Sequence, residues 1–179
     1  EIMAGALKES AGVPLVGVTT YGKGTVQTTV PYRDGTSLKF TTAQWLTPLG
    51  NQIHKKGVAP DYEVRLPDYA ELPYLFVEQP FAPGDSSDVI ATAQKYLQAL
   101  GYDPGRTDGL LEETTAAALR AFQAAADIEP SGQLDGATAT RLVAALQALI
   151  KANDTQLAKA KELLAERIRA AAGAGASGS

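Results

Sequence analysis

Four prolines and a glycine within residues 67–84 constrain this chain more than any other feature. They are Pro67, Pro73, Pro80, Pro83 and Gly84. Proline fixes φ and has no backbone N–H to donate, so neither a regular helix nor an inner strand can run through this segment. The residues before it are rich in β-branched side chains, whereas those after it are rich in alanine. The sequence therefore predicts two parts, an α/β part followed by an all-helical part.

The first part, residues 1–80, is predicted to contain one helix and several short strands. A helical stripe begins the chain and Gly12 marks its end; the members of the stripe are Ile2, Met3, Ala6 and Leu7. The valine-rich segment 13–20 predicts a short buried strand. Residues 24–48 predict two strands joined at Asp34-Gly35, a pair of residues typical of hairpin turns. We therefore expect a mixed β-sheet with helices.

The second part is predicted to be a three-helix module over residues 84–150. Apolar residues recur at helical spacing in three stretches, which begin at Asp88, at Thr114 or Thr115, and at Thr138. Glycine-containing turns separate these stretches. A further helix is predicted for residues 151–171, beginning near Asp154. The tail 172–179 consists of small residues and is expected to be disordered.

Charge and composition argue against several classes of function. The chain has 179 residues and a net charge of −4, and residues 81–150 hold nine acidic side chains against four basic ones. Such an acidic stretch would repel phosphate backbones, so no nucleic-acid partner is expected. The sequence has no cysteine and one histidine, His54, so neither a metal centre nor a cofactor is expected. No apolar run approaches the roughly 20 residues that cross a bilayer.

A lysine between two glycines, Lys23 in YGKGTVQTTV, is the candidate for chemistry. Residues 17–23 fit the first seven positions of a phosphate-binding P-loop, but Gly24 stands where that loop needs a hydroxyl. The alternating TVQTTV that follows predicts a strand, whereas a P-loop opens a helix. On composition alone, Lys23 is a solvated charge on a hairpin. His54 is interpreted as a structural or surface residue.

Three motifs follow one another in the first 66 residues: YGKGTVQ at 21–27, LKFTTAQWLTPLG at 38–50, and GVAPD at 57–61. Together they resemble the C-terminal part of the protease domain of the carboxyl-terminal processing peptidases, the tail-specific Ser-Lys family S41. The resemblance implies a serine endopeptidase that cleaves proteins near their C-termini in the cell envelope. It also implies two catalytic residues, Lys23 as the general base and Gln27 as the amide that supports it.

The implied chemistry is coherent. A serine hydroxyl attacks only after a base takes its proton, and a lysine, with an ordinary pKa of about 10.4, does so near neutral pH only when burial lowers that value. Four residues of straight strand would separate Lys23 from Gln27 by roughly 13 Å. The chain must therefore bend between them if the amide is to hold the amine. Without the resemblance, Gln27 would be interpreted as an amide on a sheet face.

The resemblance places the nucleophilic serine about 25 residues before the lysine, in a stretch whose last residues match Glu1-Ile2. We therefore expect the chain to be a fragment that lacks the serine, the oxyanion-hole segment and the PDZ domain, and to be inactive alone. In the whole protein, substrates are expected to be proteins or peptides bound by their C-termini. The apolar stripe with Ile2, Met3 and Leu7 leads us to expect self-association or association with the missing N-terminal part.

Residues 89–146 carry four short motifs: LQALGY at 97–102, G-x-x-DG at 105–109, AFQ at 121–123 and G-x-LDG-x-T at 132–138. They resemble the three-helix peptidoglycan-binding module of cell-wall hydrolases. One departure is that Leu111 and Glu112 stand where the module has Phe-Gly, which puts the ligand groove in doubt more than the fold. The resemblance implies peptidoglycan as a partner. A helical spacer or a protein-docking module remains the alternative.

The segment NDTQLAKAKELLAER, residues 153–167, resembles the helix that ends the protease domain of the S41 family. We therefore expect the helical module to be an insertion and the last helix to return to the first part. The expected location is extracytoplasmic, in a bacterial cell envelope. The alternative to an enzyme is a non-catalytic wall-binding or adaptor protein on a degenerate protease scaffold.

Overall fold

A computed structural model describes residues 1–176, and these form two units. One unit contains residues 1–65 together with the helix that begins at Thr155, and the other contains residues 66–154. The first unit combines helices with short strands, and the second is built around three helices. The prediction of an α/β part plus a helical module, with the last helix returning to the first part, is confirmed.

The first unit begins with α1 (Ile2–Ala11), which ends where the sequence predicts. Gly12 has φ 61°, a left-handed conformation that ends the helix, and its N–H donates to the carbonyl of Leu7. Two very short strands follow, β1 (Val16–Gly17) and β4 (Tyr62–Glu63), which pair in parallel. The predicted strand at 13–20 is therefore reduced to two residues.

The hairpin predicted around Asp34-Gly35 is present as β2 (Thr25–Pro31) and β3 (Ser37–Gln44). The Asp34 carboxylate accepts hydrogen bonds from the Thr36 N–H, at 3.0 Å, and from its hydroxyl, at 2.7 Å. These bonds close the turn. The expected single mixed sheet is present as two separate two-stranded sheets, because the two-residue strand β1 pairs with β4 and not with the hairpin.

The second unit contains α2 (Asp88–Ala99), α3 (Glu113–Ala125) and α4 (Gly136–Ala152). Each of the three predicted helices is present. Helix α2 begins at Asp88 as predicted, whereas α4 begins at Gly136, two residues before the predicted Thr138. The side chain of Ser87 caps α2 and that of Asp135 caps α4. Leucines, Ile90, Tyr96 and Phe122 form the buried core of the unit. Burying such side chains contributes about 1.5–3 kcal/mol each.

Two buried glutamines tie the loops of the helical unit to its helices. The Gln94 amide donates to the carbonyl of Leu110, at 2.8 Å, and to the hydroxyl of Thr115, at 3.0 Å, and it accepts from the N–H of Gly109, at 2.9 Å. Gln123 repeats the pattern on the next helix. Its amide donates to the carbonyl of Gln133 and to the hydroxyl of Thr138, and it accepts from the N–H of Gly132. Both amides are satisfied, as buried polar groups must be.

The boundary between the units lies earlier than the sequence predicts. Residues 66–80 were assigned to the first part, but they belong to the helical unit. Leu75 and Val77 are buried in its core, and the Tyr96 hydroxyl donates to the carbonyl of Pro73 at 3.0 Å. The proline-rich segment is therefore packed on the helices, because its few apolar side chains are buried there.

The last helix, α5 (Thr155–Ala176), belongs to the first unit. The Thr155 hydroxyl donates to the carbonyl of Arg65 at 2.6 Å, and the Gln156 amide donates to the carbonyl of Val64 at 3.0 Å. The helix continues beyond the predicted end at residue 171, because alanine favours helix. It thus covers residues 172–176 of the tail that was expected to be disordered, and 177–179 lie outside the described residues.

Replacing Gln94 with leucine tests the role of the buried amides. Gln94→Leu leaves the Gly109 N–H, the Leu110 carbonyl and the Thr115 hydroxyl without their partner, so the helical unit is expected to lose about 2–4 kcal/mol of unfolding free energy. Urea unfolding followed by circular dichroism measures this loss. The matched control is Gln98→Leu on the exposed face of the same helix, with an expected change of about 0.5 kcal/mol or less. Equal losses in both variants would contradict the assignment.

Candidate active-site loop

Lys23 lies in the loop between β1 and β2, two residues before the hairpin begins. Its Nζ is exposed and lies 3.5 Å from Oε1 of Gln27, at the outer limit of a hydrogen bond. Because β2 starts only at Thr25, Lys23 lies outside the straight strand that holds Gln27. A β-bulge opposite Gln27, with Thr42 as the extra residue on β3, adds local twist to the hairpin. The structure thus brings the two predicted site residues together.

The two glycines beside Lys23 let its backbone approach the turn at residues 53–57. A Cβ on Gly22 would lie 2.8 Å from the backbone nitrogen of Gly57, and Gly22 also has φ +86°. A Cβ on Gly24 would lie 2.7 Å from the backbone nitrogen of His54. Both distances are shorter than real Cβ contacts allow. Glycine is therefore required on both sides of the lysine, and the Lys55 N–H donates to the Gly22 carbonyl at 2.8 Å across this contact.

The Glu1 carboxylate holds the other side of the same loop. It accepts hydrogen bonds from the Thr20 hydroxyl, from the Gly22 N–H at 2.5 Å and from the Lys23 N–H at 2.8 Å. These bonds, that of Thr20 above all, lower the pKa of Glu1 below its ordinary value, because they stabilise the charged form. Sequence reasoning used Glu1 only to locate the missing serine. A carboxylate at the start of an apolar helix was the available signal.

Trp45 supports the loop from the hairpin. Its indole N–H donates to the Lys23 carbonyl at 2.9 Å, and its backbone N–H donates to the Gly24 carbonyl at 3.0 Å. The side chain is half-buried. The loop therefore has backbone contacts to the hairpin, to the 53–57 turn and to Glu1, while the Lys23 amine stays accessible.

The Lys23 side chain lies beside an open cavity of about 340 Å³. Its lining residues are Tyr21, Gly22, Lys23, Thr25, His54 and Lys55. His54 is half-buried, and its Nδ1 is buried with no hydrogen-bond partner among the described residues. His54 remains interpreted as structural, since its backbone is what packs against Gly24. A cavity beside an accessible amine can admit a reacting group.

The helical unit accommodates its departure from the module motif. Leu111 is fully buried in the core, where it takes the place of the expected phenylalanine. Glu112 forms an ion pair with Arg106 at 2.6 Å, and Arg106 also pairs with Asp108. These bonds raise the pKa of Arg106 and lower that of Asp108. The substitution thus leaves the fold intact and adds charges to the surface of this loop.

The described part of the chain, residues 1–176, contains neither a metal-binding cluster nor a helix that could span a membrane. No cluster of three or more histidine, cysteine or acidic side chains there could hold a metal ion. None of the described helices is long and apolar enough to span a membrane.

A methyl group on Gly24 tests the close approach of the loop. Gly24→Ala is expected to destabilise the first unit by about 1–3 kcal/mol, because the new Cβ meets backbone atoms of His54 that cannot move independently. Urea unfolding followed by the fluorescence of Trp45, the chain's only tryptophan, measures this change. Gly35→Ala in the hairpin turn of the same unit is the control, because its Cβ would meet nothing within 4 Å and the change costs only the strain of its φ of +85°. An unchanged midpoint for Gly24→Ala would contradict the close packing.

Glu1 should make the stability of the first unit depend on pH. Its folded pKa is lowered, so its contribution is present above its ordinary pKa, about 4.3, and is lost as pH falls through the folded value. Glu1→Gln is therefore expected to lower the urea midpoint at pH 7, and the difference from wild type should shrink at pH 3. Trp45 fluorescence at the two pH values measures both. A difference that stays constant would show that the Glu1 charge does not hold the loop.

Comparisons with known proteins match both parts of the chain. The model of peptidase family S41 matches residues 1–64, and a model described as "Putative peptidoglycan binding domain" matches residues 86–142. Carboxy-terminal processing protease CtpA of Bacillus subtilis (strain 168) is 45% identical over 92% of this chain and 35% of its own length. Carboxy-terminal processing protease CtpB of the same organism is 42% identical over 79% of this chain and 30% of its own length.

A solved structure of a photosystem II D1 C-terminal processing protease is 43% identical over 36% of this chain and 18% of that one, with a TM-score of 0.34. The chain spans about a third of the length of the curated relatives that it matches. Both resemblances predicted from the sequence are confirmed. Residues 1–64 therefore resemble a segment of the S41 peptidases, and residues 86–142 of the same chain resemble a domain of the peptidoglycan-binding type.

Proposed function

We propose that this chain is the general-base portion of a serine endopeptidase that processes the carboxy-terminal ends of proteins. The observation that carries the proposal is the position of Lys23: a fixed loop holds its amine beside the Gln27 amide and an open cavity. The match to S41 peptidases and the carboxy-terminal processing proteases among the relatives support the same class.

The Lys23 amine accepts the proton of a serine hydroxyl as that oxygen attacks the peptide carbonyl. It then gives the proton to the departing amine, so that an acyl-enzyme remains and water later releases it. The Gln27 oxygen accepts a hydrogen bond from the amine and thereby orients it. Lysine acts as a base near neutral pH only in a water-poor setting. The exposed Lys23 therefore needs the serine-bearing segment and the substrate to cover it.

No serine within the chain lies at the position that the resemblance assigns to the nucleophile. The serine belongs to a segment outside the given sequence, about 25 residues before Lys23. The chain alone is therefore inactive in this proposal, and activity belongs to the longer protein. Association with that segment, or with a second copy, fits the exposed stripe of α1, where Ile2 and Met3 are 66% and 74% exposed. Sedimentation at high concentration would show a monomer if this stripe has no partner.

The helical unit would bind peptidoglycan and hold the peptidase in a bacterial cell envelope, outside the cytoplasm. Its match to the peptidoglycan-binding domain supports this role. Substrates would be proteins recognised through their C-termini. A non-catalytic wall-binding adaptor is the second candidate, and the match to the peptidoglycan-binding domain favours it as well. The ion pairs of Arg106 with Asp108 and Glu112 count against a peptidoglycan groove in both candidates.

Removing the Lys23 amine tests the proposal in the longer protein that contains this chain. Lys23→Ala is expected to lower kcat for a peptide with apolar C-terminal residues by at least about 100-fold, since general-base catalysis contributes about 10²–10⁴-fold. The matched control is Lys39→Ala on the exposed face of β3, which should keep wild-type kcat. The wild-type rate should rise with pH between 6 and 10.

Three outcomes of that experiment would contradict the proposal. They are equal rates for Lys23→Ala and wild type, an equal loss in Lys39→Ala, and no cleavage by the wild-type protein. Circular dichroism of each variant shows whether a lost rate reflects a lost fold. An inert wild type that still sediments with purified peptidoglycan would favour the adaptor.

A further inference from the structure

We infer that the cavity beside Lys23 is a substrate subsite for a carboxylate side chain, and that Lys55 is the residue that pairs with it. This inference deepens the proposed function and rests on it. The carboxylate would belong to a glutamate or aspartate close to the bond that is cleaved. Lys55 would thus determine specificity and would take no part in the proton transfer.

The charge of the lining residues is the first argument. Two lysines, Lys23 and Lys55, line the cavity together with Tyr21, Thr25 and His54, and no acidic side chain is among the lining residues. The Glu1 carboxylate contacts the backbone of the loop, and its oxygens already accept from Thr20, Gly22 and Lys23. The lining therefore holds two ammonium groups and no acidic side chain, which favours an anion in the cavity.

The unused donors of Lys55 are the second argument. Among residues 1–176, no hydrogen bond or ion pair involves the Lys55 ammonium, although its backbone is fixed by the bond from its N–H to the Gly22 carbonyl. The Lys23 amine has Gln27 as a partner and must remain available to the serine. Lys55 is thus the cation of the lining that is free to pair with an anion.

The backbone of Lys55 is the third argument. Lys55 has φ 60°, a left-handed conformation that is uncommon for residues other than glycine, asparagine and aspartate. The turn at residues 53–57 would accept glycine there at less conformational cost. The residue found there is instead a lysine, and it is one of the residues that line the cavity. Lys56, its neighbour, is exposed and is not among the lining residues.

The test compares decapeptides that differ only by Glu or Gln at each of the two positions on either side of the cleaved bond. The longer protein is expected to prefer the Glu peptide at one of these positions by about three- to fivefold in kcat/KM, the size of a partly exposed ion pair. The preference should shrink between 50 mM and 500 mM salt. A second set of the same peptides with amidated C-termini shows whether the preference comes from the side-chain carboxylate or from the carboxylate at the end of the peptide.

Lys55→Glu should abolish the preference for Glu and favour a Lys peptide instead, whereas Lys56→Glu should retain the wild-type preference. Cleavage of the Gln peptide by the wild-type protein, lost in Lys23→Ala, identifies a working general base, so a failure of the subsite is distinguishable from a failure of the proposed function. Equal rates on Glu and Gln peptides, or the same preference in Lys55→Glu, would overturn the inference. If no peptide is cleaved, fluorescence anisotropy measures the affinity of the protein for the labelled Glu and Gln peptides. Equal affinities for the two peptides would overturn the inference.

Discussion

The contact between the loop at residues 22–24 and the turn at residues 53–57 is the constraint on which the first unit depends. Two glycines permit it, because a side chain on either would collide with backbone atoms of the turn. The contact brings Lys23, His54 and Lys55 together in the lining of one cavity. Glu1 and Trp45 then fix the loop from two other directions. An active lysine needs such a rigid backbone, because a small displacement of a reacting group is costly.

The helical unit relies on a different device. Gln94 and Gln123 each reach from a helix to the following loop, where each bonds to a glycine N–H, and each also bonds to a threonine hydroxyl on the next helix. The repeated bonds hold loops that lack regular structure against a core of leucine and aromatic side chains. The unit therefore has its own core and its own hydrogen-bonded frame. This is consistent with a module joined to the peptidase segment within one chain.

Local patterns in the sequence predicted much of the fold. Gly12 ends α1, Asp34-Gly35 closes the hairpin, and three helices follow the prolines, because each of these features depends on nearby residues. The unit boundary was predicted at residue 80 and lies at residue 66. Burial of Leu75 and Val77 among distant helices decides that boundary. Spacing along the chain does not encode such long-range packing.

The candidate site was predictable only in part. The motif YGKGTVQ identified Lys23 and Gln27, and their proximity needed a bend that the glycines allow. Glu1 was missed because its three hydrogen bonds join residues about 20 positions apart. Lys55, which we infer to pair with a substrate carboxylate, was missed because an exposed lysine in a turn has no local signal. Both became visible only when the loop and the turn were seen in contact.

Reaction with a fluorophosphonate probe, which modifies an activated serine, tests the central claim most directly. In the longer protein the probe is expected to label one serine about 25 residues before Lys23, and Lys23→Ala should abolish labelling while the fold persists. Mass spectrometry identifies the labelled residue. Labelling that is independent of Lys23, or labelling of a serine elsewhere, would contradict the account of Lys23 as the base.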